Sequence, residues 1–328
     1  IKKLLKDFDD FDKETKTLLR KKSRNFFYSA YLVLSSGPSY TLKFSDAIKY
    51  STLSMKEIDS DSRFHESVKL TAIVTRLTAY SVLGNMDEVV NNYYLFKNLA
   101  AKHVNSERGL TNISFMGPNL AFQLYAQGLY DQSEELITLL IENIDYSNAG
   151  YLHDLQREVV YLTKGNLLMK KNKFAEAIKV LKISSNRCNP VDRSDVSTYY
   201  SCLGFMKLLE AYYKNNQIQE FEKIYTKKLQ VHPLKDDIKG VIRYAKTTSA
   251  DGTAGLFYVM LDYYKKNNLS KNYNNLAKFS KKYVNIALKQ INQKYARPFT
   301  SNLDVYEGLV KMGTYLALNQ KKEGVDIL

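Results

Sequence analysis

The residue types that most often carry catalysis or bind metals are scattered in this sequence. The four histidines are His65, His103, His153 and His232. None has a second ligand three or four residues away, which is the spacing that places two metal ligands on one helix face, and we expect residues so distant in sequence not to converge. The sequence also lacks a glycine-rich phosphate loop and a Gly-x-Ser-x-Gly nucleophile turn. It therefore predicts no enzymatic activity, no cofactor and no metal site.

The two cysteines, Cys188 and Cys202, lie on either side of a segment that contains Pro190. A disulfide would require this segment to bring their Cα atoms within about 7 Å of each other. Two isolated cysteines at helix-flanking positions are more often unpaired. The sequence leaves both states open, and the redox compartment with them.

Basic residues exceed acidic residues, and the formal net charge is +14. The excess lies in residues 151–300, which carry twenty-seven Lys/Arg against twelve Asp/Glu, whereas residues 51–150 carry seven against twelve. Tyrosines and lysines lie next to each other at residues 263–266 and 281–283. Tyrosine rings can stack on bases, and lysines can neutralise the phosphates of a nucleic acid. However, Tyr212, Tyr263 and Tyr315 recur at helix-packing positions, and no known nucleic-acid-binding motif is visible. Nucleic acid is therefore not the expected partner.

A six-residue pattern indicates the helices that would position these residues. It ends at Ala47, Val89, Ser133, Ala177 and Phe221, so it returns after 42 residues and then three times after 44. Weaker copies span residues 267–272 and 319–324. In each clear copy after the first, a helical stretch ends at a residue that tolerates positive φ and a polar stretch opens the next helix. The four residues predicted to adopt this conformation are Gly84, Gly128, Asn172 and Asn216.

Apolar residues recur at three- and four-residue spacing on both sides of these turns, and no segment alternates as a half-buried strand does. The five prolines lie near proposed helix ends. The pattern therefore predicts an all-α chain of antiparallel helix hairpins. Repetition with a period of 20 to 50 residues is typical of a solenoid.

The best copy, residues 158–191, carries large, small and proline residues in a characteristic order. They are Tyr161, Gly165, Leu168, Ala177, Leu181, Ser184 and Pro190. This order resembles the tetratricopeptide repeat (TPR) family, although the period of about 44 residues exceeds the family's ordinary 34. The resemblance covers roughly residues 25 to 328, and it implies a right-handed superhelical solenoid of about seven hairpins.

Three regions are expected within this solenoid. Residues 1–25 form an N-terminal capping or linker helix, residues 26–233 the regular TPR-like repeats, and residues 234–328 longer-period repeats. Because the chain starts at Ile1 and stops inside the second helix of a repeat, we expect the last region to be truncated and the chain to be a piece of a longer protein.

The resemblance also implies a binding surface, because the first helices of TPR hairpins line a concave groove. Carrying the family's groove-facing offsets onto each copy yields Thr78, Ser81, Phe122, Tyr125, Asn166, Met169, Lys170, Glu210, Tyr213, Lys214, Tyr264 and Lys265. The carboxamide of Asn166 can donate to a peptide carbonyl and accept from a peptide N–H. Packing between helices, or a solvated surface, is the alternative use of these residues.

These observations predict a non-enzymatic module that recognises a protein or peptide in the groove, as the sensory part of a larger signalling or transcription-regulating protein. A structural scaffold that joins protein partners is the alternative, and a basic nucleic-acid-binding solenoid is the third hypothesis. No membrane segment is visible in the sequence. Dimerisation stays open, as does the choice between a cytoplasmic protein and an extracytoplasmic domain of a membrane-anchored regulator.

Overall fold

Helices make up all the regular secondary structure in the part of the chain that the computed structural model describes. That part comprises residues 10, 12–22, 30–31, 44–59, 65–146, 151–188, 196–242, 250–292, 302–319 and 321–327. The first helices are α1 (Lys13–Lys22), α2 (Phe44–Asp59), a 3₁₀ helix (Glu66–Val68), α3 (Lys69–Val82), α4 (Met86–His103), α5 (Glu107–Ala126) and α6 (Tyr130–Asn143). They are followed by α7 (Tyr151–Lys170), α8 (Phe174–Ser184), α9 (Val196–Lys214), α10 (Ile218–Leu229), α11 (Ala250–Lys266), α12 (Ser270–Asn292), α13 (Asn302–Leu318) and α14 (Lys322–Val325). The predicted all-α class is confirmed.

One turn recurs between the helices of a pair. A residue with positive φ follows the first helix at each of five turns: Gly84, Gly128, Asn172, Asn216 and Asn268. The next residue donates its backbone N–H to a carbonyl five positions earlier, at 2.9–3.0 Å in all five turns. This bond pattern, with a left-handed residue inside it, satisfies carbonyls that the end of a helix leaves unpaired. The positive φ predicted for the first four of these residues is confirmed.

From the sequence alone, the sixth copy of the pattern is placed one residue too early. The left-handed residue is Asn268 and not Asn267, so the copy spans residues 268–273 and ends at Tyr273. The backbone N–H of Tyr273 donates to the carbonyl of Leu269, just as the backbone N–H of Phe221 donates to the carbonyl of Gln217. The apolar side chain of Tyr273 is buried like the last residue of the other copies.

Helix contacts divide the chain into two units, which are residues 1–120 with 142–144, and residues 121–141 with 145–328. In the first unit α2 packs on α3 and α3 on α4, and the 3₁₀ helix contacts all three. In the second unit α7, α9, α11 and α13 each contact the next member of that series. Each of these helices also packs against the helix that follows it in sequence, which is α8, α10, α12 or α14. The boundaries predicted at residues 25 and 233 stay predictions.

Small residues let neighbouring helices of the second unit approach closely. A Cβ atom added to Gly165 in α7 would lie 2.3 Å from Leu181 Cδ2 in α8. A Cβ atom on Gly308 in α13 would lie 2.6 Å from Ala254 Cβ in α11. Neither contact is sterically allowed, so these helices can pack at this distance only because the side chains are absent.

Aromatic side chains fill the core of the second unit. Tyr212 and Tyr263 are buried, and the Tyr263 ring lies 5.4 Å from that of Phe221. Its hydroxyl donates to Glu222 Oε1 at 2.6 Å. Tyr212 and Tyr263 thus pack in the core as predicted, and their buried rings are not available for stacking on bases. Tyr315, the third tyrosine of that prediction, is half-buried.

Two local expectations need correction. Cys188 and Cys202 form a disulfide, with their Cα atoms 4.6 Å apart, although isolated cysteines are more often unpaired. Pro118 lies inside α5 and not near a helix end, so the N–H that would bond the carbonyl four residues earlier is missing there. Pro38, Pro190 and Pro298 lie outside the described residues.

No helix in the described part of the chain is both long enough and apolar enough to cross a bilayer.

The left-handed turn gives a stability prediction at Asn172, whose φ is 57°. Replacing it by alanine should lower the free energy of unfolding by about 1 kcal/mol, because a Cβ without a compensating polar group is strained in this conformation. Glycine removes the same side chain but not the conformation, so Asn172→Gly should stay within about 0.5 kcal/mol of the parent. Urea unfolding followed by circular dichroism measures both. Equal losses in the two variants would contradict the role of the turn.

Candidate functional site: a lysine-rich pocket

A pocket of about 110 Å³ opens where α7, α9, α11 and α13 of the second unit lie side by side. We call it the central pocket. Its lining consists of Tyr125, Asn166, Met169, Lys170, Asn172, Lys207, Glu210, Lys214, Gly255, Glu307, Gly308 and Lys311. Helices α7, α9, α11 and α13 all contribute. The volume is smaller than that of a typical ligand cleft, so it suits one functional group of a ligand.

Half of the residues predicted for a groove meet in the central pocket. They are Tyr125, Asn166, Met169, Lys170, Glu210 and Lys214. Glu307, Gly308 and Lys311 were missed because the family offsets were not carried onto α13, whereas Asn172, Lys207 and Gly255 lie at positions outside those offsets. A signal was available in the sequence, since Glu307 and Lys311 are an oppositely charged pair, four residues apart, on an otherwise mostly apolar helix.

The remaining predicted residues lie elsewhere. Phe122 is buried and packs edge-on against Tyr200, with ring centroids 6.1 Å apart. Tyr264 is also buried, and its hydroxyl donates to the carbonyl of Asp236 at 3.5 Å. The half-buried Tyr213 donates its hydroxyl to Asp262 at 2.5 Å. For these three residues the structure shows the packing role that was the alternative to ligand contact.

Three further predicted residues are outside the pocket and the core. Lys265 is exposed and donates to the side-chain oxygen of Asn319. Thr78 and Ser81 are half-buried on α3, in the first unit. Their assignment to a ligand groove stays a prediction.

Glu210 is the most buried charge of the central pocket, with 6% of its surface exposed. Lys214 Nζ lies 2.7 Å from Oε1, and Lys207 Nζ lies 3.6 Å from Oε2. Burial raises the pKa of this carboxyl, but Lys207, Lys214 and Lys311 outweigh burial and lower the pKa to about 2. Glu210 is therefore ionised at neutral pH.

The carboxylate of Glu210 needs the glycine that faces it. A Cβ on Gly255 in α11 would lie 2.9 Å from Glu210 Oε2. Any larger residue at this position would press on the carboxylate and displace it from its lysines. Gly255 lies inside α11, and nothing in its sequence neighbours pointed to this contact.

Glu307 is the second carboxylate of the central pocket and is more accessible. It accepts hydrogen bonds from Lys170 and Lys311. Burial raises its pKa, but the bonds from these two lysines lower it to about 2. Lys170 ends α7 and Glu307 lies on α13, so this ion pair joins residues 137 positions apart in sequence.

Asn166 lies in the wall of the central pocket with 4% of its surface exposed. Its side-chain oxygen is buried and has no hydrogen-bond partner within the described residues. Leaving such an oxygen unpaired costs about 1–3 kcal/mol. An N–H group of a ligand would satisfy it.

The charges of the central pocket do not balance. Four lysines and two glutamates line it, which gives a formal charge of +2. These charges are partly enclosed by four helices, so salt screens them less than it screens fully exposed charges. The site is therefore suited to a ligand group that carries negative charge together with an N–H donor.

Two histidines converge in the first unit, contrary to expectation. The rings of His65 and His103 lie 4.8 Å apart, and His103 also lies beside Glu66. Burial and the neighbouring His103 and Arg108 lower the pKa of His65. The described part of the chain nevertheless contains no group of three or more ligands that could hold a metal ion.

No protein-family model matches this chain, and no curated protein matches it.

The Glu210 cluster predicts an acid-dependent stability. Glu210→Gln should lower the free energy of unfolding at pH 7 by about 2 kcal/mol, because it leaves two lysines without their carboxylate. The folded pKa of about 2 lies below the ordinary value of 4.5, so this contribution is present above pH 4.5 and is lost as the pH falls towards 2. The difference between parent and variant should shrink over that interval.

Chemical unfolding from pH 7 to pH 2.5 measures this difference. Glu220→Gln is the matched control, because Glu220 is paired with the exposed Lys223, at 3.5 Å, and such surface pairs contribute little. A pH-independent difference for Glu210→Gln would show that the carboxylate charge is not the cause.

Proposed function

We propose that this chain is a non-enzymatic module that recognises a peptide or protein segment, and that the central pocket is the middle of its binding groove. In this proposal the helix pairs form a TPR-like solenoid of about seven hairpins, and α7, α9, α11 and α13 form its concave face. The observation that carries the proposal is that one residue of the pocket, Asn166, keeps a buried oxygen without a partner.

The surroundings of Asn166 support a peptide as the ligand. A peptide backbone offers N–H donors at regular intervals, and a carboxamide can pair with one of them while donating to a carbonyl. Lysines on α7 and α9 stand beside it in the pocket wall. The half-buried Met169 adds apolar surface to the same wall, which a peptide side chain can contact.

A sensory role is part of the proposal. The pocket walls come from four helices that are far apart in sequence, so one ligand would contact several helix pairs at once. Any difference in ligand affinity between two arrangements of those pairs would shift their populations. The same argument does not apply to a scaffold that binds its partners without rearrangement.

Peptide selection tests the recognition proposal. Peptides selected from a random display library on the folded chain should bind Asn166→Ala about tenfold more weakly than the parent, because two hydrogen bonds are lost. The unfolding free energy of this variant should stay within about 1 kcal/mol of the parent, since the Asn166 oxygen has no partner to lose.

Lys223→Ala is the control for this test, because Lys223 is exposed on α10 and does not line the pocket. It should leave peptide affinity unchanged. Recovery of no binding peptide, or equal affinities for the parent and Asn166→Ala, would overturn the proposal.

The sensory role is tested separately by small-angle X-ray scattering with a selected peptide. A sensor should change its scattering profile on saturation, whereas a scaffold should keep the profile of the free chain. An unchanged profile with intact binding would remove the sensory role and keep the recognition role.

A further inference from the structure

The two carboxylates of the central pocket differ in a way that indicates what the pocket binds. Glu210 has a side chain that is only 7% exposed and lies between two lysines of its own helix. The side chain of Glu307 is 38% exposed and contacts lysines from two helices, Lys170 of α7 and Lys311 of α13. An incoming ligand can therefore reach Glu307, whereas Glu210 is enclosed by the fold.

Glu307 is also the carboxylate that can leave. A side chain with this exposure can turn towards solvent and regain the hydration that burial removed. Glu210 has no comparable route, because its side chain is only 7% exposed and Lys207 and Lys214 flank its carboxylate. Departure of Glu307 would leave four lysines and one carboxylate in the pocket lining, a formal charge of +3.

We infer that the central pocket binds the carboxylate of an acidic peptide, and that Glu307 is an internal substitute which this carboxylate displaces from Lys170 and Lys311. The ligand group is either a C-terminal carboxylate or the side chain of Asp or Glu. This inference rests on the proposed function and names the chemical class of its ligand.

Asn166 adds the second half of the recognition. Every amino-acid residue other than proline that carries such a carboxylate also carries a backbone N–H within a few bonds of it. That N–H can donate to the unpaired Asn166 oxygen while the carboxylate lies between the lysines. The pocket volume of about 110 Å³ suits one such group, and the rest of the peptide would lie outside it.

Displacement of Glu307 has a structural consequence. Its contact with Lys170 joins α7 to α13, and the ligand would replace that direct link with one that runs through itself. Binding therefore exchanges the two intramolecular ion pairs of Glu307 for two intermolecular ones, which keeps the number of charge pairs constant but frees the Glu307 side chain.

The test uses four pools of N-acetylated random peptides that differ only in the charged group they carry. The first pool has a free C-terminal carboxylate and no Asp or Glu, and the second is amidated and has one internal Asp or Glu. The third is amidated and has no acidic residue, and the fourth is amidated with one lysine. Retention of each pool on the immobilised full chain is measured by mass spectrometry.

The first or second pool should be retained at least tenfold better than the third and fourth, and the comparison of the first two identifies the source of the carboxylate. Glu307→Gln should strengthen retention of that pool by about tenfold, because the competing carboxylate is gone. Lys311→Met should weaken it by a similar factor. Glu176→Gln should change nothing, since Glu176 is exposed on α8 and paired only with Lys173, at 3.7 Å.

Each remaining outcome counts against one idea. Equal retention of the acidic and neutral pools, or no gain in Glu307→Gln with its helix content unchanged by circular dichroism, would overturn the carboxylate inference. Recognition of peptides through Asn166 would survive that result. If no pool were retained on the parent or on either variant of the lysine–glutamate pair, the proposed function would fail together with the inference.

Discussion

The recurrent turn at the end of the first helix in each pair is the constraint on which the rest of the structure depends. A left-handed residue, which is glycine in two turns and asparagine in three, lets the chain reverse while two helix carbonyls keep their hydrogen-bond partners. Because the same backbone bonds recur in all five turns, each second helix leaves its turn in a similar direction. The geometry within each helix pair is thus set by contacts between residues that are close in sequence.

This local repetition explains which features were visible in the sequence. Turn residues and the buried position five residues later are encoded within a few neighbours, so their spacing predicted the helices and the left-handed turn residues. Contacts between distant elements have no such code. The disulfide of Cys188 and Cys202, the meeting of His65 with His103 and the pair of Lys170 with Glu307 depend on how helices pack, which the spacing of residues along the sequence does not encode.

The same distinction applies to the candidate site. Family offsets located Asn166, Lys170, Glu210 and Lys214, because these positions repeat every 44 residues on α7 and α9. They did not locate Glu307 and Lys311 on α13, which follows a longer interval, or Gly255, whose role is only to leave space for a carboxylate. A repeating pattern predicts a surface as long as the period holds, and it loses the positions that follow a change of period.

Stability does not explain why this surface is polar. Ion pairs in a partly buried site are often no more stabilising than apolar side chains of similar volume, because desolvation offsets their attraction. The Asn166 oxygen adds a further unfavourable contribution, since it is buried without a partner. Elsewhere in the second unit, the chain packs its helices with tyrosine, phenylalanine and leucine. Under the proposed function, the concentration of four lysines, two glutamates and the unpaired Asn166 oxygen between α7, α9, α11 and α13 is explained by the binding of an anionic group with an adjacent N–H.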